Sequence, residues 1–448
     1  MTHDISSQVA RKIYEAYGDQ FPRSRAAHSQ LCQYIPGGTT RSLSYFKPFP
    51  LHISHGRGAR VFTPGGRSLL DVTNAYGALV HGHGDPHVVD AVQRGIEKGS
   101  QYAAPTRGQY RLAKLLCDRV PGFEKIRFTN SGTEATLFAL RTARAFTGKD
   151  KILKMVGGYH GTHDSVATST RKDAVTAGIP LAMTQDVLEV PFNDIGALER
   201  AVVENADELA AVIMEPFLGA GGVIAPCEGF LETARRVTRA HGVVLIFDEI
   251  FSFRVDTGGC QQKYGVIPDL TCVGKVVGGG LPMGGFGGKA NIMDAYCHEA
   301  RPQPLYHSGT FNGCETVMQA GFAAMEKYDA PAVERLNGLG EMLQRQLVDL
   351  FHSLGLNIQS NGVGSIVNIH FVGESVDSAE GALKSEAELH HLFHLSLLTR
   401  GIYTIPRGLF ILSTPMAESD IQTLVYKIRE SLKELLPLME EKYGHLLR

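Results

Sequence analysis

A chain of 448 residues exceeds what one compact core ordinarily holds, so a large domain with a smaller companion is expected. Its 44 basic and 46 acidic residues leave a net charge of -2, which excludes the basic footprint of a nucleic-acid or anionic-membrane binder and favours a small-molecule ligand. Seven cysteines without a CxxC pair supply neither a zinc site nor a disulfide framework, and no signal-type segment or run of about 18 apolar residues occurs, so the cytoplasm is the expected compartment.

In chain order, residues 5–34 have helical spacing, with Val9, Ile13 and Tyr14 on one face, and stop at Pro36-Gly37-Gly38. A loop carrying Arg41 follows. His52-Ile53-Ser54 and Arg60-Val61-Phe62 alternate like strands, and Pro64-Gly65-Gly66-Arg67 is a hairpin turn. From about residue 87, helices alternate with the short apolar strands Ile126-Arg127-Phe128, Lys151-Ile152-Leu153, Leu209 to Met214 and Val243 to Phe247. That alternation predicts an α/β fold whose mostly parallel central sheet is covered by helices on both faces. The last 120 residues predict amphipathic helices, strands at Ser365 to His370 and Leu409 to Leu412, and a final charged helix, all packing with the N-terminal segment.

Four stretches carry chemistry. In Phe128-Thr129-Asn130-Ser131-Gly132-Thr133-Glu134-Ala135 a strand runs into a helix through a small, hydroxyl-rich entry, which suits a helix cap and a phosphate socket alike. Gly157-Gly158-Tyr159-His160-Gly161 is an aromatic turn after a strand. Asp248 and Glu249 end the apolar run Val243 to Phe247, where open α/β sheets place ligands, and a carboxylate buried there requires a cationic partner. Lys275 opens a glycine-rich stretch, KVVGGGLPMGGFGG, whose density suggests a loop but which matches neither the phosphate loop GxxxxGK[ST] nor the dinucleotide fingerprint GxGxxG. Surrounded by glycines, it suits an amine that a carbonyl must reach and that must swing away afterwards. Together the four describe pyridoxal 5'-phosphate: aldehyde on Lys275, ring nitrogen at Asp248, phosphate at Ser131, Gly132 and Thr133, and Tyr159 stacked on the ring.

The motifs NSGTEA, GGYHG, MEP, FDEI, GK before VVGGGLPMGGFGG, and HSGTFNG occur in an order that resembles the class III (subgroup II) aminotransferases of pyridoxal-phosphate fold type I, from about residue 30 to 430. The resemblance implies a small α+β domain built from both termini, with 1–65 and 326–448 its two parts and 66–325 the large cofactor-binding domain. It implies that Lys275 is the Schiff-base lysine and proton shuttle, that Asp248 is the partner of the ring nitrogen and that Ile250 packs on the ring. His160 and Glu215 are further cofactor candidates, each with a structural role as the alternative. Thr310 matches a position that reaches the phosphate from a neighbouring subunit, which implies a homodimer with shared active sites.

Two branches lie nearest, the glutamate-1-semialdehyde aminomutases and the aminotransferases of aromatic β-amino acids. The mutases carry Asn where this chain has Ala220, and an acidic stretch where it has Tyr403-Thr404-Ile405-Pro406-Arg407-Gly408. The β-amino acid enzymes resemble it at that segment and at Gly38-Thr39-Thr40-Arg41-Ser42. Arg41 and Arg407 are thus the candidate carboxylate forks, each suited to one substrate of a pair whose carboxylates lie at different distances from the reacting nitrogen. Tyr76 and Ala220 complete the expected substrate pocket. The expected activity is transfer of an amino group to 2-oxoglutarate or pyruvate, with an aminomutase as the alternative. His81 and His83 of HGHG lack further ligands at metal spacing, so no metal is expected.

Overall fold

The computed structural model describes residues 5–167, 176–300 and 303–448. Its centre is a seven-stranded sheet of β1 (Lys125–Thr129), β2 (Lys151–Met155), β3 (Val187–Val190), β4 (Leu209–Met214), β5 (Val244–Asp248), β6 (Leu270–Gly274) and β7 (Gly284–Gly288), in spatial order β1-β7-β6-β5-β4-β2-β3. Neighbours from β6 through β3 pair in parallel, and β7 runs antiparallel to both β1 and β6. Every residue of β4, β5 and β6 is buried, as the apolar runs require when helices cover both faces. The helix Gly132–Thr147 connects β1 to β2, Ile195–Glu204 connects β3 to β4, and Phe230–Ala240 connects β4 to β5.

β7 corrects the expectation for the glycine-rich stretch. Gly284-Gly285-Phe286-Gly287-Gly288 is a fully buried central strand, not a loop. A Cβ on Gly284 would stand 2.1 Å from the Ser131 carbonyl oxygen, so the glycine lets this strand lie directly beneath the helix entry.

Both chain ends pack together. The helix Ile5–Gln20 contacts Ala387–Thr399 and Glu418–Lys442. The last of these buries Ile421, Leu424, Val425, Ile428, Leu432, Leu435, Leu438 and Met439 at helical spacing, each contributing roughly 1.5–3 kcal/mol as an upper figure. The single helix expected over 5–34 is two, because Pro22 opens a second helix, Pro22–Leu31. The expected strand at His52-Ile53-Ser54 is extended but unpaired as a ladder, and the pairing begins at His55–Arg57, which joins Arg60–Phe62 and Ser68–Asp71 in a hairpin sheet. That sheet gains a parallel fourth strand from the far end of the chain, Ile402–Tyr403, with Tyr403 opposite Asp71. Gln359–Val363, Ile366–His370 and Leu409–Ile411 form a third, antiparallel sheet. Among the described residues no helix is long and apolar enough to cross a membrane.

Candidate active site

One edge of the large sheet collects the chemistry. β1, β2, β4, β5 and β6 all point their carboxyl ends to that edge, and from them emerge Ser131, the Tyr159-His160 turn, Glu215, Asp248 and Lys275. The parallel register produces this convergence from motifs spread over nearly 150 residues of chain.

Lys275 leaves β6 with φ 47°, a left-handed conformation that costs a side-chain-bearing residue about 1–2 kcal/mol. Its amine lies 5.1 Å from the centre of the Phe251 ring. Burial pushes the amine's pKa down, and the charges of Asp248 and Glu215 pull it back up. Burial therefore favours the neutral, nucleophilic amine relative to a surface lysine.

The two acids of FDEI part company. Asp248 is buried, its Oδ1 accepts from the Ile250 amide at 3.1 Å, and its Oδ2 lies 2.8 Å from His160 Nδ1. Glu249 faces the other way and accepts from the Cys260 and Gln261 amides and the Gln261 side chain. Glu249 is thereby a staple for the loop after β5, and Asp248 is left to face the site. His160 Nε2 is buried with no hydrogen-bond partner among the described residues.

Glu215 is buried between the two aromatic and glycine turns. It accepts from the Tyr159 amide at 3.1 Å and from the Gly219 amide at 3.3 Å. Burial first, and Asp248 second, push its carboxyl up to about 8. Tyr159 is half exposed, with its phenol pushed up by burial and by Asp248.

At the helix entry, Ser131 Oγ accepts from the Glu134 amide at 3.2 Å, so Ser131 does cap Gly132–Thr147. The cap and the socket are compatible, because the first-turn amides of Gly132 and Thr133 point out of the helix end toward the same edge. A Cβ on Gly132 would come within 2.7 Å of Ile250, and Ile250 also lies 3.3 Å from where a Cβ on Gly274 would stand. Ile250 thus spans the gap between the helix entry and Lys275. Thr310 is exposed, its carbonyl accepts from Gln101, and its side chain bonds to no described residue of the same chain.

The substrate candidates stand on loops. Arg41 is exposed, and Ser44 three residues on has its Oγ 3.4 Å from the Tyr76 hydroxyl. Burial, with Asp71 and Tyr76 nearby, pushes the Tyr403 phenol up while Arg41 pulls it down, which gathers Arg41, Tyr76 and Tyr403 in one neighbourhood. Tyr76 belongs to a left-handed turn, Asn74–Gly77. Ala220 is exposed on a turn whose Gly219 leans on Phe251 and whose Gly221 leans on the Gly157 carbonyl, which seats it beside Tyr159. Arg407 is half buried and sits near His390, whose pKa burial, His370 and Arg407 push down to about 3. His81 and His83 take separate partners, Thr414 with the Ala324 carbonyl, and Asp71.

The family model for Aminotransferase class-III matches residues 44–416. Glutamate-1-semialdehyde 2,1-aminomutase 1 of Macrococcus caseolyticus is 36% identical over 93% of this chain and 100% of its own length. Among solved structures, a β-phenylalanine aminotransferase of Variovorax paradoxus superposes with a TM-score of 0.91 at 35% identity, covering 97% of this chain and 99% of that one. An ω-transaminase of Sphaerobacter thermophilus superposes with a TM-score of 0.88 at 37% identity over 92% and 97%.

The chain belongs to the class III aminotransferases. It is a pyridoxal-phosphate-dependent transaminase with that family's fold. The donor set of this class III aminotransferase fits the cofactor: a carboxylate, a buried amine and a capped helix entry meet at one edge, and Ile250 borders the space between them. Two neighbours were missed when only the motifs were read. Phe251 underlies the lysine, and its one signal was an aromatic next to FDEI. Tyr403 was visible only as the start of the segment containing Arg407, because its approach to Arg41 depends on the composite sheet.

Proposed function

We propose that this aminotransferase moves the amino group of an aromatic β-amino acid to a 2-oxo acid such as 2-oxoglutarate or pyruvate, donor and acceptor using one site in turn. The observation that carries the reading is that the loop of Arg41 meets Tyr76, Ser44 Oγ lying 3.4 Å from its hydroxyl, and that Arg41 and Tyr76 both lie near enough to Tyr403 to act on its phenol. A guanidinium fork suits a carboxylate, and the flanking aromatic rings suit an aryl side chain. The superposition on the β-phenylalanine aminotransferase supports it.

Pyridoxal phosphate, when bound, supplies an aldehyde for the amino group and a ring that accepts the electron pair released at the substrate carbon. Lys275 would hold that aldehyde, and its amine would take and return the proton at the substrate carbon. Asp248, oriented by His160, keeps the ring nitrogen protonated. Ser131, Gly132 and Thr133 hold the phosphate, Tyr159 and Ile250 hold the ring, and Glu215 orders the Tyr159 turn. Arg41 holds the carboxylate of one substrate and Arg407 that of the other, while Ala220 leaves room for the side chain. Thr310, exposed beside Tyr306 at 80% and Phe311 at 60% exposure, reaches the phosphate of a partner subunit in a homodimer. Seven free thiols fit a reducing compartment, the cytoplasm.

The test follows the cofactor's absorbance in the holoenzyme against aromatic α-amino acids, aromatic β-amino acids and ω-amines, first without and then with a 2-oxo acid. A faster half-reaction with aromatic β-amino acids is expected. No reaction with them overturns the reading. The curated aminomutase relative supports a second reading, isomerisation of one substrate. Conversion of an amino aldehyde to its isomer with no oxo acid added would favour it.

A further inference from the structure

None of these roles uses the stretch from Asp71 to His83 as a unit, yet its backbone is unusual. Asn74, Ala75 and Tyr76 stand at φ 45°, 51° and 57°, and Gly77 follows at 88°. Three consecutive side-chain-bearing residues in the left-handed region persist only when their surroundings over-determine them.

The surroundings centre on one buried carboxylate. Asp71 Oδ1 accepts from the Thr73 amide at 2.8 Å, the Thr73 hydroxyl at 2.9 Å and the Asn74 amide at 2.9 Å. Asp71 Oδ2 lies 2.7 Å from His83 Nε2. Asn74 adds its own ties, donating to the Ile411 carbonyl at 2.7 Å and the Asp71 carbonyl at 3.2 Å. His83 is held from behind. Its amide donates to the Gly58 carbonyl and its carbonyl accepts from the Gly58 amide, at 2.8 and 2.7 Å. Its ring occupies the space a Cβ on Gly56 would need, 2.3 Å away, so the imidazole is pressed between the hairpin and Asp71.

The other end of the turn meets the site. The Tyr76 hydroxyl lies 3.4 Å from Ser44 Oγ in the Arg41 loop, and a Cβ on Gly77 would stand 3.4 Å from Phe251, the ring under Lys275. We propose that His83, acting through Asp71, is a positioning residue for the turn that presents Tyr76, and thereby sets how well the site recognises the side chain and carboxylate of the amino donor. The proposal rests on the substrate pocket assigned above.

Removing the imidazole leaves a buried carboxylate short of its partner, and the turn it pins is then free to relax. Holoenzymes carrying His83→Ala and His83→Gln are compared with the unsubstituted protein on an aromatic β-amino acid and on β-alanine. For H83A the KM for the aromatic donor should rise roughly tenfold, the KM for β-alanine less than about twofold, and kcat for both should stay within about threefold. H83Q, which keeps a donor for Asp71, should restore most of the difference. Cofactor absorbance should be unchanged, and amide exchange over Thr73 to Leu79 should be faster in H83A. Equal KM changes for both donors, loss of kcat at constant KM, or unchanged exchange overturns the proposal. If H83A does not accumulate as holoenzyme, His83→Leu, which also lacks a donor for Asp71 but fills more of the space, carries the same expectations. If the unsubstituted enzyme refuses aromatic β-amino acids, the substrate reading fails, and the KM ratio is then read on two accepted donors of different size.

Discussion

The two ends of the site are built differently. At the cofactor end, Ser131, Glu215, Asp248 and Lys275 sit where buried strands stop, and the hydrogen bonds of Asp248 and Glu215 bind them to backbone amides and to His160. At the substrate end, Arg41, Tyr76, Ala220 and Arg407 sit on loops drawn from four separated stretches, and Arg41 and Ala220 are exposed. On the roles proposed above, the reaction chemistry is assigned to the buried sheet edge. Substrate choice is left to parts that can change without disturbing that edge.

The sharpest way to break this contrast is at the lysine. Lys275→Ala should lower turnover by at least roughly 10³-fold on every donor, since covalent attachment and proton transfer are lost together. The protein should still fold and bind pyridoxal phosphate by absorbance. Near-normal turnover would remove Lys275 from the chemistry and the sheet edge from its role.

A smaller, selective effect is expected across the gap. Arg41→Ala should raise the KM for carboxylate-bearing donors by roughly tenfold or more relative to simple amines, the loss expected of one charge-assisted contact. Equal effects on both donor types would show that Arg41 lies outside substrate recognition.

The smallest effect sharpens the rigid end without any substrate. Glu215 has its pKa raised from 4.5 to about 8, chiefly by burial. Between those values Glu215 keeps a proton in the folded protein that the unfolded chain releases, so its own contribution to stability falls as pH rises from about 5 to about 8, against the rise up to about 6.5 contributed by buried neutral histidines such as His390 and His394. Glu249, pushed up to about 7, acts in the same direction. In thermal melts of the cofactor-free proteins, Glu215→Gln should gain stability relative to the unsubstituted protein as pH rises across that range. An unchanged slope would mean that Glu215 is ionised in the folded protein.

The cofactor end was legible because each part is a local pattern. A strand followed by Ser131-Gly132-Thr133, an apolar run ended by Asp248 and a lysine after a short strand can each be read within a few residues, although each also admits a purely structural role by itself. The substrate end was legible only by resemblance, since no local pattern distinguishes a solvated loop arginine from a carboxylate fork. Even locally some choices were hidden. Asp248 and Glu249 are adjacent and chemically alike, and only the loop amides at Cys260 and Gln261 separate a staple from a functional group. The glycines after Lys275 looked like a loop because a buried GGFGG strand has no period-two pattern. It is a strand because β1 and β6 flank it on both sides.

By itself, then, the sequence determined the alternation of strands and helices, the order of the cofactor motifs and the residue types that chemistry requires, all of which depend on contacts within a few residues. Tertiary structure decided which acid faces the site, that Phe251 underlies the lysine, that Tyr403 joins Arg41, and that Asp71 and His83 pin a left-handed turn. Those outcomes depend on strands and loops far apart in the chain being held in register by the packed sheets. No pattern of neighbouring side chains encodes that register.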